Sequence, residues 1–261
     1  MIKKIERTFD LINNKGEAYP LSRYNTFSGF FGEAEGLGMD HDATYQKLGN
    51  VYDLLQDNIN QGEISGVVYF QSKYPYQEYF RFMEFCQETP LTLRYVTPVG
   101  EFYRSGTISK IEKNEDGNPR RAKVVFTAST LWYKSVAETV DAASITIVSD
   151  SVIDSPCALS FSGVTKSEAN LTWTQTVDGV SVMTGTLKSV TIASTDTVFV
   201  KTNKDPYQIY KKTSGGTITN LYQSSDFGTK RFPFIKKGVN VFSVTGASKM
   251  SVDGNILYET V

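Results

Sequence analysis

"YPYQEYFRFMEFCQ" (residues 74–87) decides the fold, because it packs six aromatic rings and a cysteine into fourteen residues of a chain that otherwise reads as β-strand. Pro75 suits a first helical turn, where its missing N–H costs nothing. Tyr76, Tyr79, Phe80 and Met83 fall at i, i+3, i+4 and i+7, which is one face of an α-helix. Phe82, Phe85 and Cys86 widen that stripe, Gln77, Glu78, Arg81 and Glu84 hold the other side, and Pro90 ends it. The spacing predicts one amphipathic helix over about 75–88, lying on a sheet with its rings in a core. Phe80 is expected among the buried rings, with a cost of about 3 to 5 kcal/mol on truncation to alanine.

The flanks supply the sheet. Before the helix, "EISGVVYFQ" (63–71) is a β-branched and aromatic run that fits a buried strand. After it, "LTLRYV" (91–96), the turn "PVG" (98–100), "EFYRSGTISKIEKNE" (101–115), the turn "DGNP" (116–119) and "RAKVVFTAS" (121–129) read as an antiparallel meander. "LWYKSVAETVDAAS" (131–144) loses strand patterning and reads as a connector. Ser and Thr number 17 in residues 1–135 and 34 in residues 136–261, so composition changes at the same place. Two domains are expected, 1–135 and 140–261.

The second half shows no helix. "NLTWTQTVDGVSVMTGTL" (170–187) is two runs around Asp178-Gly179, a strong hairpin signal. "SVTIAS", "DTVFVKTN", "QIYKKTSGGTITNLY", "FPFIKKGVNVFSV" and "KMSVDGNILYETV" add strands, with turns expected at Gly215-Gly216, Lys237-Gly238 and Asp253-Gly254. Many short strands at this spacing read as a β-sandwich.

Composition narrows the function. A net charge of −1 lacks the basic footprint that tight nucleic-acid binding needs. "MIKKIERTFD" (1–10) has no apolar core of a secretory signal, and no stretch approaches the roughly 18 to 20 apolar residues of a membrane span. His41 is the one histidine, which removes zinc sites built on two imidazoles. Between Asp40 and Asp42 it reads as part of a solvated loop, since a metal site would need further ligands from elsewhere. Cys86 and Cys157 both sit in apolar stretches and read as free, inert core thiols rather than partners of His41. "GFFGEAEGLG" (29–38) spells no phosphate loop, and Glu33, Glu35, Asp40 and Asp42 would repel phosphate. Trp173 alternates with Thr172 and Thr174 on the side of Leu171, which turns it inward and away from a sugar-stacking role; Trp132 is undetermined. No catalytic, cofactor-binding or metal residues emerge, and a strand-rich chain of this kind suits building or binding better than catalysis.

The order of landmarks carries a resemblance. "FDLINNKGEAYPL" (9–21), "GEAEGLGMDHDATYQKLGN" (32–50), "ISGVVYF" (64–70), the aromatic helix, "LTLRY" (91–95), "FYRSGTISKIEKNE" (102–115), "VVFTASTLWYK" (124–134) and "FPFIKKGVNVFSVTG" (232–246) follow one another as in a known family. The N-terminal half resembles the distal tail proteins of siphophages that infect Gram-positive bacteria. The resemblance implies a mainly β chain: a tail-tube-like β-sandwich or split barrel with one helix, then a galectin-like antiparallel β-sandwich. It implies a hexameric ring, single or two stacked, in the virion tail tip or a tail-like particle, made in the host cytoplasm. Expected partners are the major tail tube protein, the tail-associated lysin or tip protein, and receptor-binding proteins. Genome DNA would pass through the lumen unbound, with no membrane contact and no cofactor. The alternative is a carbohydrate- or receptor-binding module working through the C-terminal sandwich. Residues 25–50 are the candidate for an arm that adds strands to a neighbour, and Glu33 and Glu35 for acidic residues facing the conduit.

Overall fold

Alternation of buried and half-exposed residues builds nearly every strand of this protein, and a few glycines let those strands bend or approach. The computed structural model describes residues 8–21, 29–38, 41–48, 51–59, 61–70, 73–113, 121–164, 171–188, 190–227 and 232–261. The chain is mainly β with antiparallel pairing and one α-helix, and it divides into two units, Met1–Tyr133 with Glu259–Val261, and Lys134–Tyr258.

In the first unit, strands β1 (Thr8–Ile12), β2 (Ala18–Pro20), β3 (Gly29–Glu35), β4 (His41–Leu48), β5 (Val51–Ile59) and β6 (Glu63–Phe70) precede helix α1 (Pro75–Gln87). Strands β7 (Leu91–Thr97), β8 (Gly100–Lys113) and β9 (Arg121–Ala128) follow, and "DGNP" lies outside the described residues. The order is β2-β1-β7-β8-β9-β6-β3. The long β8 pairs with β7 up to Gly106 and with β9 from Gly106 onward. A Cβ at Gly106 would lie 2.3 Å from the Thr127 carbonyl oxygen, so only glycine lets the strand turn this corner. The half-sheets close on a shared core, with Phe9 edge-on to Phe31 at 5.2 Å and stacked on Tyr95 at 4.4 Å. The result is a split barrel.

Helix α1 forms where its rings and Pro75 predict it, but rotated from the predicted face. Pro75, Phe82 and Cys86 are its buried residues, whereas Tyr76 and Phe80 are 48% and 61% exposed. Phe82 meets Tyr19 on β2 at 5.4 Å and Phe70 at the end of β6 at 5.9 Å, and Tyr79 adds an edge contact to Phe70. Phe80 and Phe82 stand about 200° apart at 3.6 residues per turn, so one helix cannot bury both. The expectation that Phe80 fills the core is therefore wrong, and Phe82 takes that place.

The segment 131–144 is a strand rather than a connector. Strand β10 (Trp132–Val140) starts in the first unit with Tyr133 opposite Tyr103, and its remainder belongs to the second unit beside the last strand. Apart from Trp132 its residues are half-buried or exposed, which is why it carries no alternation for a sequence pattern to detect.

The second unit packs two sheets face to face. Strands β11 (Ser144–Ser149), β12 (Ser155–Val164), β13 (Leu171–Val177), β14 (Val180–Leu187), β15 (Thr197–Lys201), β16 (Gln208–Lys212) and β17 (Ile218–Asn220) come first. Then come β18 (Ser225–Phe227), β19 (Phe234–Ile235), β20 (Gly238–Thr245) and β21 (Ala247–Tyr258). One sheet runs β17-β16-β15-β12-β21, and the other β11-β20-β13-β14-β18. Leu159, Phe161, Val198, Val200 and Val252 from the first meet Ile145, Trp173, Met183 and Phe242 from the second in one core.

Asp178 and Gly179 both take left-handed backbone (φ 50° and 82°), the conformation a two-residue type I′ hairpin requires. The Asp178 carboxylate accepts the Val239 N–H at 2.8 Å, tying this hairpin to β20. The turn at Gly215-Gly216 forms, with the Gly216 N–H donating to the Thr213 carbonyl at 2.9 Å. The turn expected at Asp253-Gly254 does not. β21 runs straight through it, and Gly254 sits opposite Cys157, where a Cβ would approach the Cys157 Cβ to 3.0 Å. That glycine serves close strand approach. "SVTIAS" likewise forms no strand among its described residues. Thr191 makes one bridge, and the chain then turns, the Asp196 carboxylate accepting the Ala193 N–H at 3.1 Å.

Candidate assembly interface

Residues 25–50 divide into two fates. Strand β3 belongs to the barrel, pairing with β6 through Gly29↔Phe70 to Glu35↔Ser65 and burying Phe31. Strands β4 and β5 pair with each other from His41↔Ile59 to Leu48↔Val51, with a bulge at Thr44/Tyr45. Among the described residues they pair with no other strand. His41 thus begins a strand, not a loop, while Asp40 lies outside the described residues. A two-stranded hairpin is marginal in water by itself, so this one needs a surface to lie on. Glu33 and Glu35 are exposed, and the Tyr69 hydroxyl donates to the Glu33 carboxylate at 3.1 Å.

The outer side of α1 is the second feature. Tyr74, Tyr76 and Phe80 are exposed on neighbouring turns, and the Lys113 ammonium lies 5.1 Å from the Tyr76 ring centre and 5.7 Å from that of Tyr79. An exposed cluster of large rings is a contact surface more often than an accident.

Of the residues considered for chemistry, none comes together as a site. Burial pushes the thiols of Cys86 and Cys157 up to about 12, far from the thiolate a nucleophile needs. Among the described residues no group of three His, Cys, Asp or Glu could hold a metal, and no helix is long and apolar enough to cross a membrane. Trp173 is fully buried, stacked on Phe161 at 6.0 Å, and Trp132 is fully buried too.

Two arginines of the barrel differ sharply. Arg94 is held by Glu101 at 2.9 Å and Asp10 at 3.1 Å, and the Tyr103 hydroxyl donates to Glu101 at 3.0 Å. The hydrogen bond from Arg94 draws the Glu101 carboxyl below its ordinary value, while burial raises that of Asp10. Arg104, which sequence reasoning passed over, is 4% exposed and has no carboxylate partner among the described residues. Its signal was its position two residues after Phe102, on the same inward face of an alternating strand.

The second unit carries an open groove of about 1040 Å³ beside β16 and β17. Tyr207, Tyr222 and Phe232 line it with Gln208, Asn220 and Gln223, and none of its eleven lining residues is charged.

These features belong to a β-rich building block with contact surfaces, and the comparisons agree. Residues 8–128 match the family described as "Distal tail protein, N-terminal domain". Among solved structures, the chain is similar to the SPP1 Dit (gp 19.1) protein, described as a paradigm of the hub adsorption apparatus in Gram-positive infecting phages. That match has a TM-score of 0.64 at 15% identity, covering 95% of this chain and 99% of that one. It is also similar to a chain of the phage P2 baseplate in its activated conformation with Ca, with a TM-score of 0.60 at 13% identity, covering 98% and 100%. No curated protein sequence matches. The chain is a structural component of a phage tail. It belongs to the distal tail protein family of siphophages, whose N-terminal domain spans residues 8–128.

Proposed function

We propose that this protein forms a hexameric ring at the distal end of the tail, joining the tail tube to the tip proteins around a channel for DNA. The observation that carries this is the β4–β5 hairpin, fully paired within itself and with no strand beside it among the described residues. A heterologous contact that closes on itself generates a ring, and each copy must then offer two complementary patches. The hairpin is one such patch, and the outer rings of α1 stand ready for a further neighbour. Exposed Glu33 and Glu35 suit a conduit wall that phosphate does not stick to. The role is non-catalytic.

The test is mass by light scattering with negative-stain images, on the intact chain and on a variant with residues 41–59 replaced by a short Gly-Ser turn. The intact chain is expected to give six- or twelve-subunit particles with a central hole, and the variant a folded monomer. Rings that survive without the hairpin would remove it from the interface.

A second reading rests on the groove beside β16 and β17. Flat rings suit sugar C–H faces, amide side chains suit hydroxyls, and an uncharged lining suits a neutral saccharide. The Tyr222–Phe232 and Tyr207–Phe232 ring contacts at 6.3 and 5.1 Å make a continuous aromatic wall. Tyr207→Ala with Tyr222→Ala is expected to abolish binding of neutral cell-wall polysaccharide while leaving Tm within a few degrees. Absence of binding by the unaltered protein ends this reading.

A further inference from the structure

The most anomalous group in the barrel is the Arg104 guanidinium. It occupies an inward position of β8, between Phe102 and Gly106 and opposite Leu93 on β7. Its Nε donates to the Thr130 carbonyl at 2.9 Å, and the guanidinium lies 5.7 Å from the centre of the Trp132 ring. Its Nη1 is buried with no acceptor, and the buried indole N–H of Trp132 has none either. Both groups only donate, so the place lacks an acceptor rather than a donor. A guanidinium stays protonated in proteins, so this is a buried positive charge without a counter-charge, an arrangement folded proteins avoid. Burial alone shifts its pKa, downward, and no carboxylate opposes that shift.

A cavity of about 350 Å³ adjoins it, lined by Gln61, Gly62, Arg104, Ser129, Thr130 and Leu131 among others. Ser129 and Thr130 are exposed, so the cavity reaches the surface. Its chemistry is that of a carboxylate receptor: a planar fork of donors for a bidentate partner, with hydroxyls at the mouth.

We propose that this cavity receives an acidic side chain from a second copy of the chain. The proposal rests on the ring reading above. The hairpin of β4 and β5 carries Asp42, Asp53 and Asp57 in sequence and pairs with no other strand of its own chain among the described residues. One copy thus has a hairpin without a surface, and also a buried cation without a counter-ion. A neighbour's hairpin supplies both needs at once, and the charge-assisted bond fixes its register.

The experiment compares self-association, by sedimentation equilibrium and light scattering, of the intact chain, Arg104→Met, the triple variant Asp42→Asn/Asp53→Asn/Asp57→Asn, and the two combined. Arg104→Met is expected to keep or raise the Tm of the dissociated chain, because an uncompensated charge is replaced by an apolar group of similar length. It is expected to weaken association at least tenfold. The triple variant should weaken it comparably, and the combination no further, as coupled partners require. The triple variant leaves the barrel core intact, so it reports even if Arg104→Met fails to fold. An intact chain that associates while both variants associate equally well overturns the proposal alone. A lowered Tm in Arg104→Met with unchanged association shows Arg104 to be purely structural. Strictly additive losses place the carboxylate outside the hairpin. An intact chain that stays monomeric throughout removes the ring reading together with this proposal.

Discussion

Trp173→Ala is expected to destabilise the second unit by about 3 to 5 kcal/mol, the usual cost of emptying a large aromatic site in a core. Trp173 is fully buried on β13 and stands directly opposite Gly185 on β14. The pairing is shaped for the indole, since a Cβ at Gly185 would come within 2.4 Å of it. Phe161 from the facing sheet stacks on the same ring, so its removal opens a cavity spanning both sheets. The neighbours are anchored in two ladders and collapse only partly, which keeps the cost high. Urea denaturation followed by near-UV circular dichroism measures it. A loss below about 1 kcal/mol would contradict the packing and reopen Trp173 as a surface residue. Any loss of saccharide binding in this variant would report unfolding, and for that reason the groove test uses Tyr207 and Tyr222.

Phe82→Ala and Phe80→Ala, two residues apart, are expected to behave as opposites. Phe82 is fully buried between Tyr19 and Phe70, and its truncation should cost about 3 to 5 kcal/mol in the first unit. Phe80 is 61% exposed, and its truncation should leave monomer stability within about 0.5 kcal/mol. If the outer side of α1 meets a neighbour in the ring, Phe80→Ala weakens assembly at unchanged Tm. Equal destabilisation by the two substitutions would mean that the helix is rotated from the orientation described here. Thermal melts of the two variants, read beside their light-scattering mass, separate these outcomes.

The contrast shows where sequence reasoning reached its limit. Pro75 and the ring spacing located α1 to within a residue, because helix formation depends on neighbours a few positions apart. With six rings in fourteen residues, two faces satisfied the same periodicity. Which of them was buried depended on Tyr19 and Phe70, contributed by distant strands. The same division runs through the strands. Asp178-Gly179 made its turn because two left-handed residues suffice for it locally, whereas Asp253-Gly254 did not, because β12 on one side held β21 extended through it. Strand β10 escaped notice because its ladder partners, not its own alternation, make it a strand.

By itself the sequence determined the mainly β class, the single helix, the positions of most strands, the absence of a recognisable catalytic motif, and the family resemblance carried by the order of its landmarks. Those features rest on short-range periodicity and turn chemistry, which each stretch of chain carries within itself. Only the tertiary structure decided that Phe82 rather than Phe80 fills the core, that the β4–β5 hairpin lies beside no other described strand, and that Arg104 is buried without a carboxylate. Burial and charge compensation are properties of what surrounds a residue, and those surroundings are assembled from segments far apart in the chain.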